Sequence, residues 1–394
     1  MFSWKKGKKK LSLICDISNC DIGIGITDLS GDFARLLYAD RKFFPIVEIL
    51  SLSGLERRTV SSMKEMTRKI EKAFFATSIY ELSGDSINNA QIFISSPWYS
   101  SRISTINISR DTPVLLDAHL LEGAVAEEER KFERAITSSA AGTRLGDMKA
   151  VEREILQTKL NGYKVSSPFM KKAANVDILV LNSVVSNRIL TLTENTLIHN
   201  LSVRFFYVYT FPHAAFRVVK LLYPHESDFL MAHVTGEETH LVFVRDGVIS
   251  AISNIPRGRN SVIRRLMNEV SVDYEIAISY LRSQQSGRLG EKMRNKVKNA
   301  IGEELKSWND SLISSIEVAE YAVAGKKIFL SVSDDVYRFF DATLKNITAD
   351  ERFVVPLADN LVKNNVSYGR HVSPDHKLSV LSLFAKWHGG YHLQ

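Results

Sequence analysis

The first regular pattern in the chain is a pair of apolar alternations around a polar turn. Leu11, Leu13 and Cys15 alternate with Ser12 and Ile14, and Asp16 closes the run. Residues 18–21 are turn formers, and Ile22, Ile24 and Ile26 restart the alternation. Period two on both sides of a turn predicts a β-hairpin. Residues 34–39 predict a third strand and 43–50 a continuation of the sheet. Met63, Met66, Ile70, Ala73 and Phe74 recur at helical spacing, so 62–78 reads as a helix. Residues 87–95 read as a buried strand that ends in the loop Ser96-Pro97-Trp98-Tyr99. Ligands of open α/β sheets gather at such carboxyl ends, although a Pro-Trp pair covering a sheet edge explains the loop equally well.

Residues 111–116 predict a strand, 118–135 a heavily charged amphipathic helix, and 137–146 a small polar loop. Strands follow over 151–160 and 176–185, with Asn161-Gly162-Tyr163 as a hairpin signal between them. Residues 111–186 thus form a small α+β unit. A helix over 187–200, a strand over 202–209 and a helix over 212–222 come next, the last with Pro212 in its first turn. Residues 229–234, 239–244 and 248–255 predict a three-stranded meander, joined by Gly236-Glu237-Glu238 and by Asp246-Gly247. This repeats the logic of the opening hairpin near mid-chain and points to two related halves. Helices are predicted over 260–269, 272–283, 287–307 and 311–321. A strand over 326–332, a helix over 337–344, a short strand over 353–355 and a helix over 377–386 close the chain.

Composition narrows this picture without changing it. A chain of 394 residues suggests two domains with an insertion, and 45% hydrophobic with 24% charged residues marks a globular protein. The net charge is +7, but Lys5, Lys6, Lys8, Lys9 and Lys10 lie ahead of the first strand. The rest is near balance, which argues against coating by nucleic acid. The tail 1–10, with Phe2 and Trp4 among its lysines, suits weak contact with anionic lipid, or is a solvated terminus. Cys15 and Cys20 are the two cysteines, as expected of a reduced, cytoplasmic chain with core thiols. No run approaches the roughly 18 apolar residues of a membrane span, and the basic start leads into too short an apolar run for a signal peptide.

Candidate chemistry begins with the opening hairpin. Turn N–H groups can point at phosphate oxygens, and an acid at the end of the first strand can carry magnesium through water. The chain has no G-x-x-x-x-G-K-[S/T], G-x-S-x-G or H-E-x-x-H motif. His233 and His240 flank the meander turn without a third ligand at metal spacing. Gly287-Arg288-Leu289-Gly290, followed by Lys292, Arg294, Lys296 and Lys298, is like the GXXG clamp of RNA-binding KH modules. Its flanks read as helices, which suits a solvated helical hairpin instead.

The order of elements carries a stronger likeness. A hairpin with Asp16, a sheet, an α+β insertion and a second hairpin with Gly236 and Thr239 are followed by helices and a late strand-to-helix turn. This arrangement resembles the actin-like ATPase superfamily and, within it, the FtsA (bacterial cell division) and PilM (type IV pilus assembly) families. The resemblance implies an α/β, actin-like (ribonuclease H-like) two-domain fold with duplicated mixed β-sheets and a small inserted α+β subdomain. It divides the chain into a tail (1–10), a first half (11–110, resumed over 187–222), an inserted subdomain (111–186) and a second half (223–394). It further implies ATP and magnesium between the two hairpins, with Asp16 as the catalytic and metal-binding acid.

Carried over residue by residue, Asp16, Ser18, Asn19 and Gly23 fall on the first phosphate hairpin. Gly236 and Thr239 fall on the second, Arg257 and Gly258 on a nucleotide-side loop entering a helix, and Ser331 and Ser333 on the adenosine turn. Departures accompany these matches. His233 and His240 replace acids, Thr235 and Glu237 replace glycines, and Ser331-Val332-Ser333 stands where relatives carry glycines. Glycine lets backbone amides approach phosphate, and a glutamate repels it. The expectation is therefore a cytoplasmic, actin-like scaffold of a membrane-associated pilus or division assembly, with protein partners, self-association and little or no ATP hydrolysis. An active ATPase and an RNA-binding module are the alternatives. The carboxyl end breaks too soon for the terminal amphipathic helix that FtsA carries, so lipid contact would fall to residues 1–10.

Overall fold

The computed structural model describes residues 10–46, 51–76, 87–139, 146–348 and 353–388. The tail 1–9, residues 47–50 of one expected strand, the last two residues of the expected helix 62–78, and most of the expected loop 137–146 lie outside them.

The chain opens with β1 (Leu11–Ile17), β2 (Asp21–Asp28), β3 (Ala34–Phe43), α1 (Leu52–Ala76) and β4 (Asn89–Ile94). β5 (Tyr99–Leu115), α2 (Ala118–Thr137), β6 (Met148–Leu160), β7 (Tyr163–Val165) and β8 (Lys172–Ser186) follow. Then come α3 (Asn187–Leu201), β9 (Phe205–Thr210), α4 (Phe211–Leu222), β10 (Phe229–Val234), β11 (Thr239–Arg245) and β12 (Val248–Ile255). The last stretch holds α5 (Arg259–Val270), α6 (Tyr274–Gln285), α7 (Glu291–Val318), β13 (Lys327–Ser331), α8 (Tyr337–Thr348), β14 (Val354–Pro356), α9 (Asn360–Asn365), β15 (Val366–Tyr368) and α10 (His376–His388).

Of the three sheets among the described residues, two repeat one strand order. The first runs β15-β3-β2-β1-β4-β9 and the second β12-β11-β10-β13-β14. In each, an antiparallel meander (β1–β3, β10–β12) is extended by parallel strands on the side of its first strand. One core cluster joins both sheets through α4 and α10: Phe93 and Ile14 from the first, Met231 and Phe329 from the second, with Phe211, Phe216, Leu381 and Phe384 between them. The outer face of the first sheet packs on α1 and α3. The outer face of the second packs on α5 to α8. The layers are thus helix, sheet, helix, sheet, helix, and every residue of β1 and β2 is buried. A strand covered on both faces reads as nearly continuous apolar sequence, which is why Ile14 breaks the alternation of its neighbours.

Several elements differ from their sequence signals. The expected strand 111–116 is the far end of one long strand, β5, so the third sheet (β5-β8-β6-β7) begins at Tyr99. The helices expected over 287–307 and 311–321 are one continuous helix, α7, because Trp308 and Leu312 keep the buried stripe in phase across the polar residues between them. α1 begins ten residues before the expected Ser62, at Leu52. The closing stretch, read with the second half, returns to the first sheet: β15 pairs in parallel with β3, and α10 lies in the core layer between the sheets. Nothing local in the sequence marks that return.

The inserted sheet is fastened to the first half by a buried ionic cluster. Glu152 on β6 accepts from the Thr210 backbone N–H (2.7 Å) and hydroxyl (2.9 Å), and lies 3.0 Å from His213 Nδ1. Glu154 lies 2.6 Å from His213 Nε2 and also pairs with Arg217. Burial alone would lower the His213 pKa, but the charge and hydrogen bond of Glu152, then Glu154, push it up to about 9. A raised folded pKa adds stability that is complete below the unfolded value near 6.5 and disappears as pH rises through the folded value. For a shift of this size the term is about 3 kcal/mol. The urea stability of the wild-type chain is expected to fall by that order between pH 6.5 and 9.5 relative to His213→Gln. Parallel pH profiles for the two chains would refute the assignment.

Candidate functional site

The two hairpins singled out by the sequence meet at the centre of the molecule. Asn19, in the β1–β2 turn, donates from Nδ2 to Thr235 Oγ1 (3.2 Å), and its Oδ1 accepts from the Gly236 backbone N–H (2.9 Å). The approach is close enough that a Cβ on Gly236 would stand 2.4 Å from Cys20 Cβ. Ser18 turns into its own hairpin, where its hydroxyl accepts from the N–H groups of Cys20 and Asp21, both at 3.2 Å. These turn groups are thus spent within the first hairpin (Ser18, Cys20, Asp21) and on closing it onto the second (Asn19, Thr235, Gly236).

Asp16 lies beneath this contact, fully buried. Its Oδ2 is 2.7 Å from Arg41 Nη1 and 3.8 Å from Lys377 Nζ. Arg41, on β3, also reaches Asp21 (2.6 Å) and, through Nε, Asp375 (2.6 Å). Lys377 comes from the first turn of α10, is 3% exposed and lies 3.5 Å from Asp21 Oδ2. Gly23 faces Arg41 across the β2–β3 pair, and a Cβ there would stand 2.6 Å from the Arg41 guanidinium. The glycine that the resemblance assigns to phosphate makes room for an arginine instead. Burial would raise the Asp375 carboxyl, but Arg41 brings it down to about 2. Burial acts the same way on Asp21, and Lys377 and Arg41 hold it well below the ordinary carboxylate range. The carboxylates in turn keep Lys377 and Arg41 protonated against the cost of burial. Asp16 Oδ1 has no hydrogen-bond partner among the described residues.

The second hairpin repeats this geometry with different chemistry. His233 and His240 are register partners, as Asp16 and Gly23 are in the first. His233 Nδ1 lies 3.0 Å from Ser331 Oγ, and its ring stacks on Phe211 with centroids 4.0 Å apart. Burial, then the charge of Lys377, pushes its pKa well below the ordinary histidine value, so the ring is neutral. His240 Nδ1 contacts Asn254 Oδ1 (2.8 Å) and the Tyr99 hydroxyl (3.1 Å). The Ser96–Tyr99 loop therefore ties the inserted sheet to this hairpin. Trp98 is buried under the first sheet's outer core.

The remaining expected nucleotide residues are occupied by protein. Thr239 Oγ1 donates to the Arg257 carbonyl and accepts from Trp308 Nε1, both at 2.8 Å. Arg257 pairs with Glu304 on α7 (2.7 Å). Gly258 caps α5, where a Cβ would stand 2.5 Å from the Thr235 carbonyl oxygen. The first N–H groups of α5, Arg259 and Asn260, donate to the carbonyls of Thr235 and Gly236 (2.9 and 2.8 Å). A helix N-terminus is a ready anion site, and here the hairpin's carbonyls fill it. Glu237 is neutralised by Arg264 and accepts from Asn260 Nδ2 (2.9 Å). Ser333 Oγ donates to Asp335 (2.8 Å), which in turn holds the buried Arg259 guanidinium. A cavity of about 470 Å³ remains beside this centre, bounded by Arg41, Phe43, Arg282, Ser333, Asp335 and His376.

These residues do not fit magnesium with a triphosphate. Asp16 Oδ1 offers one acceptor, but Arg41 and Lys377 stand where the metal's charge would be, and the hairpins leave no gap for phosphate between them. Among the described residues no cluster of three His, Cys, Asp or Glu is placed to hold a metal ion. Residues 287–290 form the turn between α6 and α7. Gly287 takes φ +69°, and the Arg288 N–H donates to the Ser283 carbonyl (2.9 Å), so the GXXG sequence acts as a helix stop. Sequence reasoning missed Arg41, Lys377, Asp375 and the Arg259–Asp335 pair. The one available signal was local: Ser373-Pro374-Asp375 ahead of an apolar run marks a helix start. Its pairing with Asp16 has no sequence spacing to reveal it.

No protein-family model matches the sequence, and no curated protein matches it. Among solved structures the chain is similar to the PilM–PilN type IV pilus biogenesis complex, with a TM-score of 0.65 and 13% identity over 96% of this chain and 98% of that one. The ethanolamine utilization protein EutJ from Carboxydothermus hydrogenoformans aligns at TM-score 0.48 and 11% identity, over 96% of this chain and 89% of that one. A Bacteroides thetaiotaomicron protein with an actin-like ATPase fold and unknown function aligns at 0.44 and 10%, over 97% and 99%. The last two scores are too low to carry an argument. The first establishes the actin-like fold over nearly the whole chain, and at that identity it establishes the fold alone.

Removing one partner of a buried ion pair strands the other charge and costs about 3–5 kcal/mol. Arg41→Met is expected to lose stability of that order in urea denaturation, since it strands Asp375 and leaves Asp16 and Asp21 with Lys377 alone. Lys42→Met, which breaks the exposed pair with Glu65, is expected to change stability by less than about 1 kcal/mol. Equal losses for the two variants would contradict the charge arrangement described.

Proposed function

We propose that this chain, with its actin-like fold, is a scaffold of a membrane-associated assembly and does not run an ATP hydrolysis cycle. The observation that carries the reading is the cleft centre, where Arg41 and Lys377 neutralise Asp16 and Asp21. Hydrolysis of a nucleotide needs a metal, an oriented water and donors aimed at the developing charge. Here the carboxylate that would organise the metal is already paired, and the amides that would meet phosphate already donate to protein. The scaffold would use its surfaces in place of a nucleotide cycle, with self-association as one such use.

The similarity in fold to the PilM–PilN complex supports protein partners of the kind found in type IV pilus biogenesis over a cell-division role. In this reading residues 11–98 and 187–222, joined by the returning stretch 366–388, form one half, 223–365 the other, and the insertion 99–186 offers a partner surface. Residues 1–10 would add contact with anionic lipid at the cytoplasmic face of the inner membrane. The open cavity beside Arg41 and Ser333 favours a second reading, in which a nucleotide is held there without turnover.

Two measurements with ATP and magnesium separate these readings. Phosphate release is expected to equal the blank for the wild-type chain and for Asp16→Asn alike. Release above the blank that Asp16→Asn abolishes would overturn the scaffold reading in favour of an active ATPase. Calorimetric titration decides between the other two: heat of binding without phosphate release supports the held nucleotide, and its absence supports the bare scaffold.

A further inference from the structure

We propose that the free end of the inserted sheet is a lipid-seating tip for an anionic membrane surface. One end of this sheet joins the body, where Tyr99 pairs with Val185 and Met148 with Ser186. At the opposite end three segments converge. Leu115 pairs with Lys172, Leu160 pairs with both Tyr163 and Val176, and Asn161 Oδ1 accepts from the backbone N–H groups of Ala174 and Asn175. Four large apolar side chains are exposed there: Tyr163 (79%), Met170 (74%), Phe169 (52%) and Leu115 (41%). Exposed apolar residues scattered singly need no explanation, but here Leu115, Phe169 and Met170 lie on hydrogen-bonded segments and Tyr163 opens β7 at the same end of the sheet.

The backbone holds this display in place. Met170 takes φ +60°, a left-handed conformation that a long side chain rarely adopts. It is kept there by its own N–H donating to the Leu116 carbonyl (2.8 Å), while the Leu116 N–H donates to the Lys171 carbonyl (2.9 Å). The exposure is therefore built into a pinned turn, and an observed outlier of this kind points to use.

Charge decides the partner. From Lys159 to Lys172 the chain carries four lysines and no acid, although the inserted unit as a whole is rich in glutamate on α2. Lys171 and Lys172 are exposed beside Met170, while Lys164, next to Tyr163, pairs with Asp246 of the β11–β12 turn (3.1 Å), and Asp111 is the exposed acid of the β5 bulge at this end. Asp117, the nearest acid to Leu116, is engaged in capping α2 through the Leu120 N–H. Aromatic and long apolar side chains on turns, collared by lysines, match the boundary between acyl chains and anionic headgroups. Tyr sits there by its amphipathic ring, and Lys keeps its head among phosphates. Tyr163 and Leu115 lie at the ends of edge strands β7 and β5, and Phe169 and Met170 on the turn before β8, so the exposed side chains sit on the sheet's end rather than along one edge, where a peptide strand would pair. The surface shares no residue with the cleft described above.

Co-sedimentation of the full chain with vesicles tests the proposal. Binding is expected to phosphatidylcholine vesicles containing phosphatidylglycerol and to be at least tenfold weaker with phosphatidylcholine alone. Phe169→Ser with Met170→Ser is expected to weaken binding at least tenfold while leaving the urea midpoint unchanged, because both side chains are in solvent. Lys171→Glu with Lys172→Glu is expected to remove the preference for the anionic vesicles. The proposal is overturned if the wild-type chain binds neither vesicle, or if the tip variants bind as the wild type does while deletion of residues 1–10 abolishes binding. It is also overturned if the tip variants change only the oligomeric state in gel filtration, which would assign the patch to a second copy of the chain. Either lipid result leaves the phosphate-release test of the cleft unaffected.

Discussion

The structure depends on a balance of buried charge. Asp16 and Asp21 share Arg41 and Lys377, and Asp375 pairs with Arg41, in a largely buried centre beside the cleft cavity. Each of these ions taken alone would cost several kcal/mol to bury, and the group is tolerable only as a set. The set also has a topological effect. Asp16, Asp21 and Arg41 belong to the opening meander, while Asp375 and Lys377 belong to the last helix. The charge balance therefore binds the end of the chain to its beginning, and it fixes α10 in the core layer that both sheets share.

The duplicated halves carry different chemistry on the same frame. The register that places Asp16 opposite Gly23 in one half places His233 opposite His240 in the other. The first pair leaves room for an arginine, and the second places a neutral His233 in a stack on Phe211. The two halves keep one backbone geometry because apolar packing on both faces holds the strand order, while the side chains that point into the cleft differ between them. This is how a chain retains an actin-like fold while the hairpins that would hold phosphate hold one another.

Particular residues show where sequence reasoning was adequate. Asn19, Gly236 and Gly258 were singled out as nucleotide contacts, and all three do lie at the junction of the two hairpins. Their type was legible because a tight turn or a close backbone approach demands it, whatever lies opposite. What they approach was not legible: Gly236 admits Cys20 and Gly258 admits a carbonyl oxygen. Thr239 is a clearer case. Its hydroxyl points to Arg257 and Trp308, on the outer side of the hairpin, and no local pattern distinguishes the two sides of a turn.

The sequence by itself determined the hairpins, the meander, most helices and the order of elements from which the actin-like fold follows. Those properties rest on periodicity and turn chemistry, which act over a few residues. The tertiary structure alone decided that the cleft is self-neutralised, that 366–388 returns to the first sheet, and that the insertion is latched by Glu152, Glu154 and His213. Each of these joins groups far apart in the chain through buried electrostatics, and a Coulomb partner leaves no trace in spacing. Asp16 is the same residue in both readings: an acid at the end of a strand, whose charge partners are an arginine of the third strand and a lysine that arrives with the last helix.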